Sequence, residues 1–188
     1  MPESRTGACI VILLALFTPG VFTAIVAGQD LRLVDAAANQ DDETVRTLVN
    51  AGTNVNTTRP DGATALLWAT HWNNLDTVDL LLGHDADVNA SDDHGVTPLE
   101  RAAENASLEM VAKLVAAGAN VNASQTSGLT PLMTAARTGS ADIVTMLVTA
   151  GANVNATVDT TQSTALMWAV SEPHPEIVRI LLNAGADP

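Results

Sequence analysis

The chain has no tyrosine, and both of its phenylalanines, Phe17 and Phe22, fall within the first 27 of its 188 residues. Sandwiches and barrels favour aromatic and β-branched residues, so an apolar fraction of 47% carried by Ala, Leu and Val argues instead for closely packed helices. Cysteine is nearly absent. Cys9 stands alone, which removes a disulfide framework and any cysteine-based zinc site. Positive charge is scarce too: 8 Lys and Arg face 21 Asp and Glu, for a formal net charge of −13. Binding a phosphate backbone requires cationic neutralisation, so nucleic acid is a poor partner for this chain. A basic protein surface, by contrast, would meet it faster.

The N-terminus differs from the rest. Arg5 precedes an apolar run from Ala8 to Phe17, followed by the helix breakers Pro19 and Gly20 and a stretch ending Ile25-Val26-Ala27-Gly28. Charged, apolar and small-residue regions in that order read as a signal peptide over residues 1–27, cut near Ala27 or Gly28. An uncleaved N-terminal anchor is the alternative, because Ala8 to Ala27 spans about 20 residues, enough to cross a bilayer. Pro19, Gly20 and two Thr weaken that alternative, and Cys9 precedes the apolar run where a lipoprotein would have it follow. Removing Glu3 and Arg5 takes away one acid and one base, so the net charge stays at −13 while the last thiol is lost. The expectation is an exported protein, periplasmic or secreted, touching a membrane only through an uncleaved segment.

What the chain has in abundance is repetition. The phrase Ala-Gly-Ala-Asn-Val-Asn occurs at 117–122 and again at 150–155, and the closing Asn recurs at Asn56, Asn89, Asn122 and Asn155, every 33 residues. A fixed period of this length marks stacked units that bury their apolar faces against neighbours. In residues 90–122, Thr97-Pro98 is a helix start: the hydroxyl caps free amides, and Pro at the first helical position forfeits no hydrogen bond. Leu99, Ala102 and Ala103 share one face; Asn105 to Ser107 interrupts; Leu108, Val111, Leu114 and Val115 mark a second helix. Gly118 then supplies a left-handed end, and Asp92-Asp93-His94-Gly95 reads as a hairpin-like polar turn.

These residues resemble the ankyrin repeat. Its T-P-L motif stands as Thr97-Pro98-Leu99 and Thr130-Pro131-Leu132, with variants Thr64-Ala65-Leu66 and Thr164-Ala165-Leu166, and its glycine-rich unit end as Ala117-Gly118-Ala119, Ala150-Gly151-Ala152 and Ala184-Gly185-Ala186. The resemblance implies an all-α ankyrin-repeat α-solenoid, helix-turn-helix plus β-hairpin-like loops, over residues 29–188. It comprises about five repeats, at 30–56, 57–89, 90–122, 123–155 and 156–188. The family's usual His after T-P-L is replaced by Leu67, Glu100, Met133 and Met167, which puts that residue's inter-repeat hydrogen bonds in doubt. With its signal-like start, the phrases Thr-Ala-Leu-Met-Trp-Ala and Pro-Glu-Ile-Val-Arg-Ile-Leu-Leu also look like the exported ankyrin proteins of bacteria. The first unit, polar through Gln40, Asp41, Asp42 and Glu43, reads as a cap. The fifth has one extra loop residue between Ala156 and Ser163 and stops at Asp187-Pro188, so a fragment of a longer protein is the expectation there.

No catalytic or metal arrangement emerges. Asp85, Asp87, Asn89, Asp92, Asp93 and His94 begin like a calcium loop, but Ala90 stands where the turn demands Gly and Val96 where a bidentate Glu is needed. His71, His84, His94 and His174 have neither helical i, i+4 pairing nor Cys partners. No nucleophile-base pattern or glycine-rich phosphate loop stands out, so neither enzyme activity nor a small-molecule cofactor is expected. Five sequons, at Asn56, Asn89, Asn105, Asn122 and Asn155, are accounted for by the repeat in four cases; they would matter as glycan sites in a secreted eukaryotic protein.

A stack of helix pairs with loops on one side makes a concave surface suited to proteins. The resemblance implies contacts at the hairpin tips and the exposed ends of the first helices. Here those are Pro60, Asp61, Ala63, His71 and Trp72, then Asp93, His94, Val96, Glu104 and Asn105. The fourth unit offers Thr126, Ser127, Leu129, Arg137 and Thr138, and the fifth Thr160, Thr161, Ser171 and Glu172. Trp72 is the expected anchor, against the plainer reading that it covers the neighbouring repeat. The expectation is a monomeric, non-catalytic interaction module with a protein partner of basic character. The alternatives are the adaptor portion of a larger protein whose missing C-terminal part carries the activity, and a secreted effector acting on a host protein.

Overall fold

The computed structural model of the protein describes residues 30–188; the segment read as a signal or anchor, residues 1–27, lies outside the described residues. The described residues form ten helices in five pairs. The first helices of the pairs are α1 (Arg32–Ala38), α3 (Ala65–His71), α5 (Pro98–Glu104), α7 (Pro131–Thr138) and α9 (Ala165–Ser171). The second helices are α2 (Asp42–Asn50), α4 (Leu75–Leu82), α6 (Leu108–Ala116), α8 (Ala141–Thr149) and α10 (Pro175–Asn183).

Each first helix after α1 starts by the same device. Thr64, Thr97, Thr130 and Thr164 sit in extended backbone and accept through Oγ1 from the amides of Leu67, Glu100, Met133 and Met167 at 3.1–3.4 Å. The Ala-containing variants are thus capped as well as the Pro-containing ones. Such a cap contributes about 1 kcal/mol. Second helices end at a left-handed residue, with φ of 78°, 90°, 92° and 89° at Gly52, Gly118, Gly151 and Gly185. In the second unit that register is held by Asp85, at φ 62°.

First helices pack side by side in a row, α1 on α3, α3 on α5, α5 on α7 and α7 on α9, and more closely than the second helices pack on each other. The cause is side-chain size: Ala36, Ala69, Ala102, Ala135 and Ala169 recur at one register position and are all buried. Small residues on one side let the first helices approach, while Leu, Val and Ile fill the space between the second helices. One apolar core runs from Leu33 to Ala186, through Leu66, Leu81, Leu99, Leu114, Leu132, Leu147 and Leu181.

The linking loops are hairpin-like without strands; a single isolated bridge, Thr58 with Thr64, is formed among the described residues. Tips are closed by Gly62 N–H on Arg59 O, Gly95 N–H on Asp92 O and Gly128 N–H on Gln125 O, each 2.9 Å. The fifth loop, longer by one residue, closes with Gln162 N–H on Val158 O at 2.8 Å. Adjacent tips are tied edge to edge: Asp93 N–H donates to Asp61 O, Thr126 N–H to His94 O and Asp159 N–H to Ser127 O, at 2.9–3.0 Å. Glycine is needed at Gly95 on two counts, a φ of 77° and backbone of Gln125 within 3.0 Å of where a Cβ would stand.

The 33-residue Asn register has a mechanical reason. Asn56 Nδ2 donates to Asp85 O (3.0 Å) while its Oδ1 accepts from Asp87 N–H (2.7 Å). Asn89 spans Gly118 O (3.3 Å) and Asn120 N–H (2.7 Å), and Asn122 spans Gly151 O (3.1 Å) and Asn153 N–H (2.7 Å). Asn155 completes the ladder on Gly185 O (3.2 Å) and Asp187 N–H (2.9 Å). One primary amide thus satisfies a carbonyl and an amide of the next unit at once, a task that an ionised Asp, which only accepts, cannot perform.

Candidate protein-interaction surface

The tips and the C-terminal ends of the first helices line one side of the stack. Pro60, Asp61, Asp93, His94, Thr126, Ser127, Thr160 and Thr161 are exposed on the tips, and Trp72, Glu104, Asn105, Arg137, Ser171 and Glu172 at the helix ends. His71, Leu129 and Thr138 are half-buried. Two expected contact residues are not on the surface. Ala63 and Val96 are 5% and 7% exposed, because the residue before the capping Thr turns inward and joins Leu67 and Trp68 in a small apolar cluster.

Asn105 is exposed but occupied: its Nδ2 donates to Thr70 O and His71 O, both at 3.0 Å. It follows α5 as Trp72 follows α3, and Trp72 does the corresponding job, donating from Nε1 to Ala38 O of the preceding unit at 3.1 Å. An indole and an amide here close the same helix end. Trp72 therefore does cover its neighbour, as the plainer reading held. It nevertheless stays 42% exposed and meets His71 edge-on at 4.7 Å, and His71 in turn meets Trp68 at 5.6 Å. Trp68, His71 and Trp72 form a continuous aromatic wall.

The family model described as "Ankyrin repeats (3 copies)" matches residues 33–125 and again 114–188, so together the two matches span every helix pair. The chain is an ankyrin-repeat protein. Comparison with curated proteins gives no match. Repeats of this family are generally protein–protein interaction modules and typically non-catalytic, consistent with a surface of tips and helix ends rather than an enclosed site.

In this ankyrin-repeat protein the position after T-P-L is informative. Leu67 and Met133 are buried and apolar, and Met167 is exposed. Glu100, 4% exposed, restores inter-repeat bonding: Oε1 accepts from Thr134 Oγ1 and, at 3.3 Å, from Gln125 Nε2, both in the next unit. Its other oxygen, Oε2, is buried and has no hydrogen-bond partner among the described residues. Burial pushes this carboxyl above the usual glutamate range, and Glu104 adds to the effect; the bonds from Thr134 and Gln125 and the charge of Arg101 oppose it.

One of the clefts at the tips was not disclosed by the sequence. Between the second and third units, Asp61, Ala63, Leu67, Trp68 and His71 face Asp92, His94 and Arg101 across ≈300 Å³. Its signal in the sequence was weak: Asp92 read only as part of a polar turn, and Arg101 carried no signal of its own. Among the described residues no cluster of three or more His, Asp or Glu is placed to hold a metal ion, and no helix is long and apolar enough to cross a membrane.

Proposed function

We propose that the protein is a non-catalytic, exported interaction module that binds a partner protein through the tips and first-helix ends of its ankyrin stack. The observation that carries this reading is the row of tips, tied edge to edge by backbone hydrogen bonds into one rigid rim beside the Trp68–His71–Trp72 wall. A rim fixed before binding loses little conformational freedom on docking. The formal net charge of −13 supports a partner of basic character, and export rests on the order of residues 1–27.

The test is capture from the envelope and secreted fractions with the full chain as bait, beside a His71→Ala, Trp72→Ala version of equal helicity. Retention of a protein by the first and its loss by the second supports the module. Retention by neither counts against it.

A second reading, the adaptor portion of a larger protein, is favoured by one face. Met167, Val170 and Leu182 are 55%, 63% and 46% exposed, whereas Met133 and Ala136, in the registers of Met167 and Val170, are buried by the unit that follows them. The outer face of α9 and α10 therefore has the character of an interior face, and in this reading further helices cover it. Mapping the C-terminus of the native protein by mass spectrometry, with its oligomeric state, separates the two readings.

A further inference from the structure

The cleft between the second and third units carries more charge than the fold requires. The turn uses at Asp61 only a side-chain oxygen, which accepts from Ala63 N–H at 3.0 Å. In the same register Ser127 Oγ and Thr161 Oγ1 accept from Leu129 and Ser163 N–H at 3.4 Å and close their turns without charge. Asp92 Oδ1 accepts from His94 and Val96 N–H, both 2.9 Å, but Arg59, Gln125 and Val158 stand at its register in the other units. At each carboxylate the Oδ2 has no hydrogen-bond partner among the described residues. The guanidinium that also lines the cleft, Arg101, is neutralised by Glu104 at 2.7 Å. Two carboxylates that each lend their turn only Oδ1 thus face a cavity floored by Ala63 and Leu67 and walled by Trp68.

The protein also shows what such a set of groups holds. Arg59, which does not line the cleft, places its guanidinium 5.5 Å from the centroid of the Trp68 ring and is fixed by Asp35 at 2.6 Å. Carboxylate on one side and indole on the other is a setting that suits a planar, weakly hydrated guanidinium better than a compact ammonium. The cleft repeats the carboxylate-and-indole setting, and the guanidinium that lines it, Arg101, is already paired with Glu104 at 2.7 Å. It has room for a flexible apolar stem along Ala63 and Leu67.

The geometry points to the Asp61–Asp92–Trp68 cleft as a specificity pocket for an arginine side chain of the partner. This rests on the interaction-module reading and sharpens it: the partner presents an extended or loop segment with an exposed arginine, which enters between the second and third tips. Its guanidinium bonds to the free carboxylate oxygens, and its stem lies against Leu67 and Trp68. No other pair of successive units combines the groups, since His94 and Gln125 or Ser127 and Val158 hold the corresponding places. The pocket therefore also sets the register of the partner along the stack.

The test uses the full chain and blocked tripeptides, acetyl-Gly-Arg-Gly-amide and its citrulline counterpart, the latter nearly isosteric but uncharged. The readout is the indole N–H resonance of Trp68, assigned with a Trp68→Phe variant. The arginine peptide is expected to move that resonance saturably, with a Kd of about 1 mM, while the citrulline peptide leaves it in place. Asp61→Asn with Asp92→Asn, which keeps both Oδ1 acceptors, is expected to weaken binding by about tenfold or more with circular dichroism unchanged. Equal movement with citrulline, no movement at about 10 mM peptide, or undiminished binding by the double variant overturns the proposal. A protein captured by the full chain and retained equally by the double variant would overturn the arginine pocket but leave the module intact. Arginine binding without any captured protein would support the pocket and count against the module.

Discussion

Asn122 holds Gly151 across the gap between two units: its Nδ2 donates to the Gly151 carbonyl at 3.1 Å while its Oδ1 accepts from Asn153 at 2.7 Å. Asn122→Ala removes both bonds and is expected to cost about 1–3 kcal/mol. Asn122→Asp keeps the acceptor alone and is expected to fall between variant and parent. Urea unfolding followed by circular dichroism checks the order; equal stability for Ala and parent would sink the ladder as a stabilising device.

The same bonds govern the sequons. Asn56, Asn89, Asn122 and Asn155 donate from Nδ2 to the following unit, and Asn105 donates to the preceding one. A glycan on any Nδ2 replaces one of its two hydrogens with a bulky sugar. The folded chain is therefore expected to resist modification by an oligosaccharyltransferase that modifies a peptide of residues 118–128. Efficient glycosylation of the folded protein at Asn122, read by mass spectrometry, would show the opposite.

Asp85 holds a left-handed conformation, φ 62°, where Gly118, Gly151 and Gly185 stand in the corresponding turns. Asp85→Gly relieves that strain and keeps the carbonyl that Asn56 bonds. A gain of about 1 kcal/mol is expected, offset in part by the greater freedom of glycine in the unfolded chain. Thermal unfolding decides; a lower midpoint than the parent would contradict the strain.

Glu100 ties stability to pH. Because burial raises its carboxyl above the unfolded value, the native state holds the proton more tightly than the unfolded state does. Its contribution is thus most favourable below the unfolded glutamate range and declines as pH rises through that range to the raised native value. Glu100→Gln keeps an acceptor for Thr134 without the buried charge. The variant is expected to melt higher than the parent at pH 7 and to lose that advantage near pH 4. A variant equal to or below the parent at pH 7 would falsify this account.

How much of this was legible in the sequence depended on how far each residue reaches. Thr64, Thr97, Thr130 and Thr164 act on amides three residues away, so their caps could be read locally. Asn122 could be placed by its period, but its purpose lies 29 and 31 residues ahead and emerges only in three dimensions. Ala63 and Val96 were expected on the surface because they adjoin exposed tips; the inward turn before each capping Thr buries them instead. Glu100 stood out as a replacement, yet its partners Gln125 and Thr134 gave no signal. The cleft was illegible for the same reason, being shared by two units whose facing residues are about a repeat apart.

The Asn ladder also gives the array a direction. Every side-chain amide on the 33-residue register reaches forward, so the turns at Asp85, Gly118, Gly151 and Gly185 are each gripped from the unit before. Peeling away the last pair frees Asn155 and disturbs no remaining turn. Peeling away the first removes Asn56, the grip on the turn at Asp85, whose left-handed residue is not glycine. The stack behaves as a zip with unlike ends: it opens from the far end one tooth at a time, whereas damage at the near end loosens the next tooth in line.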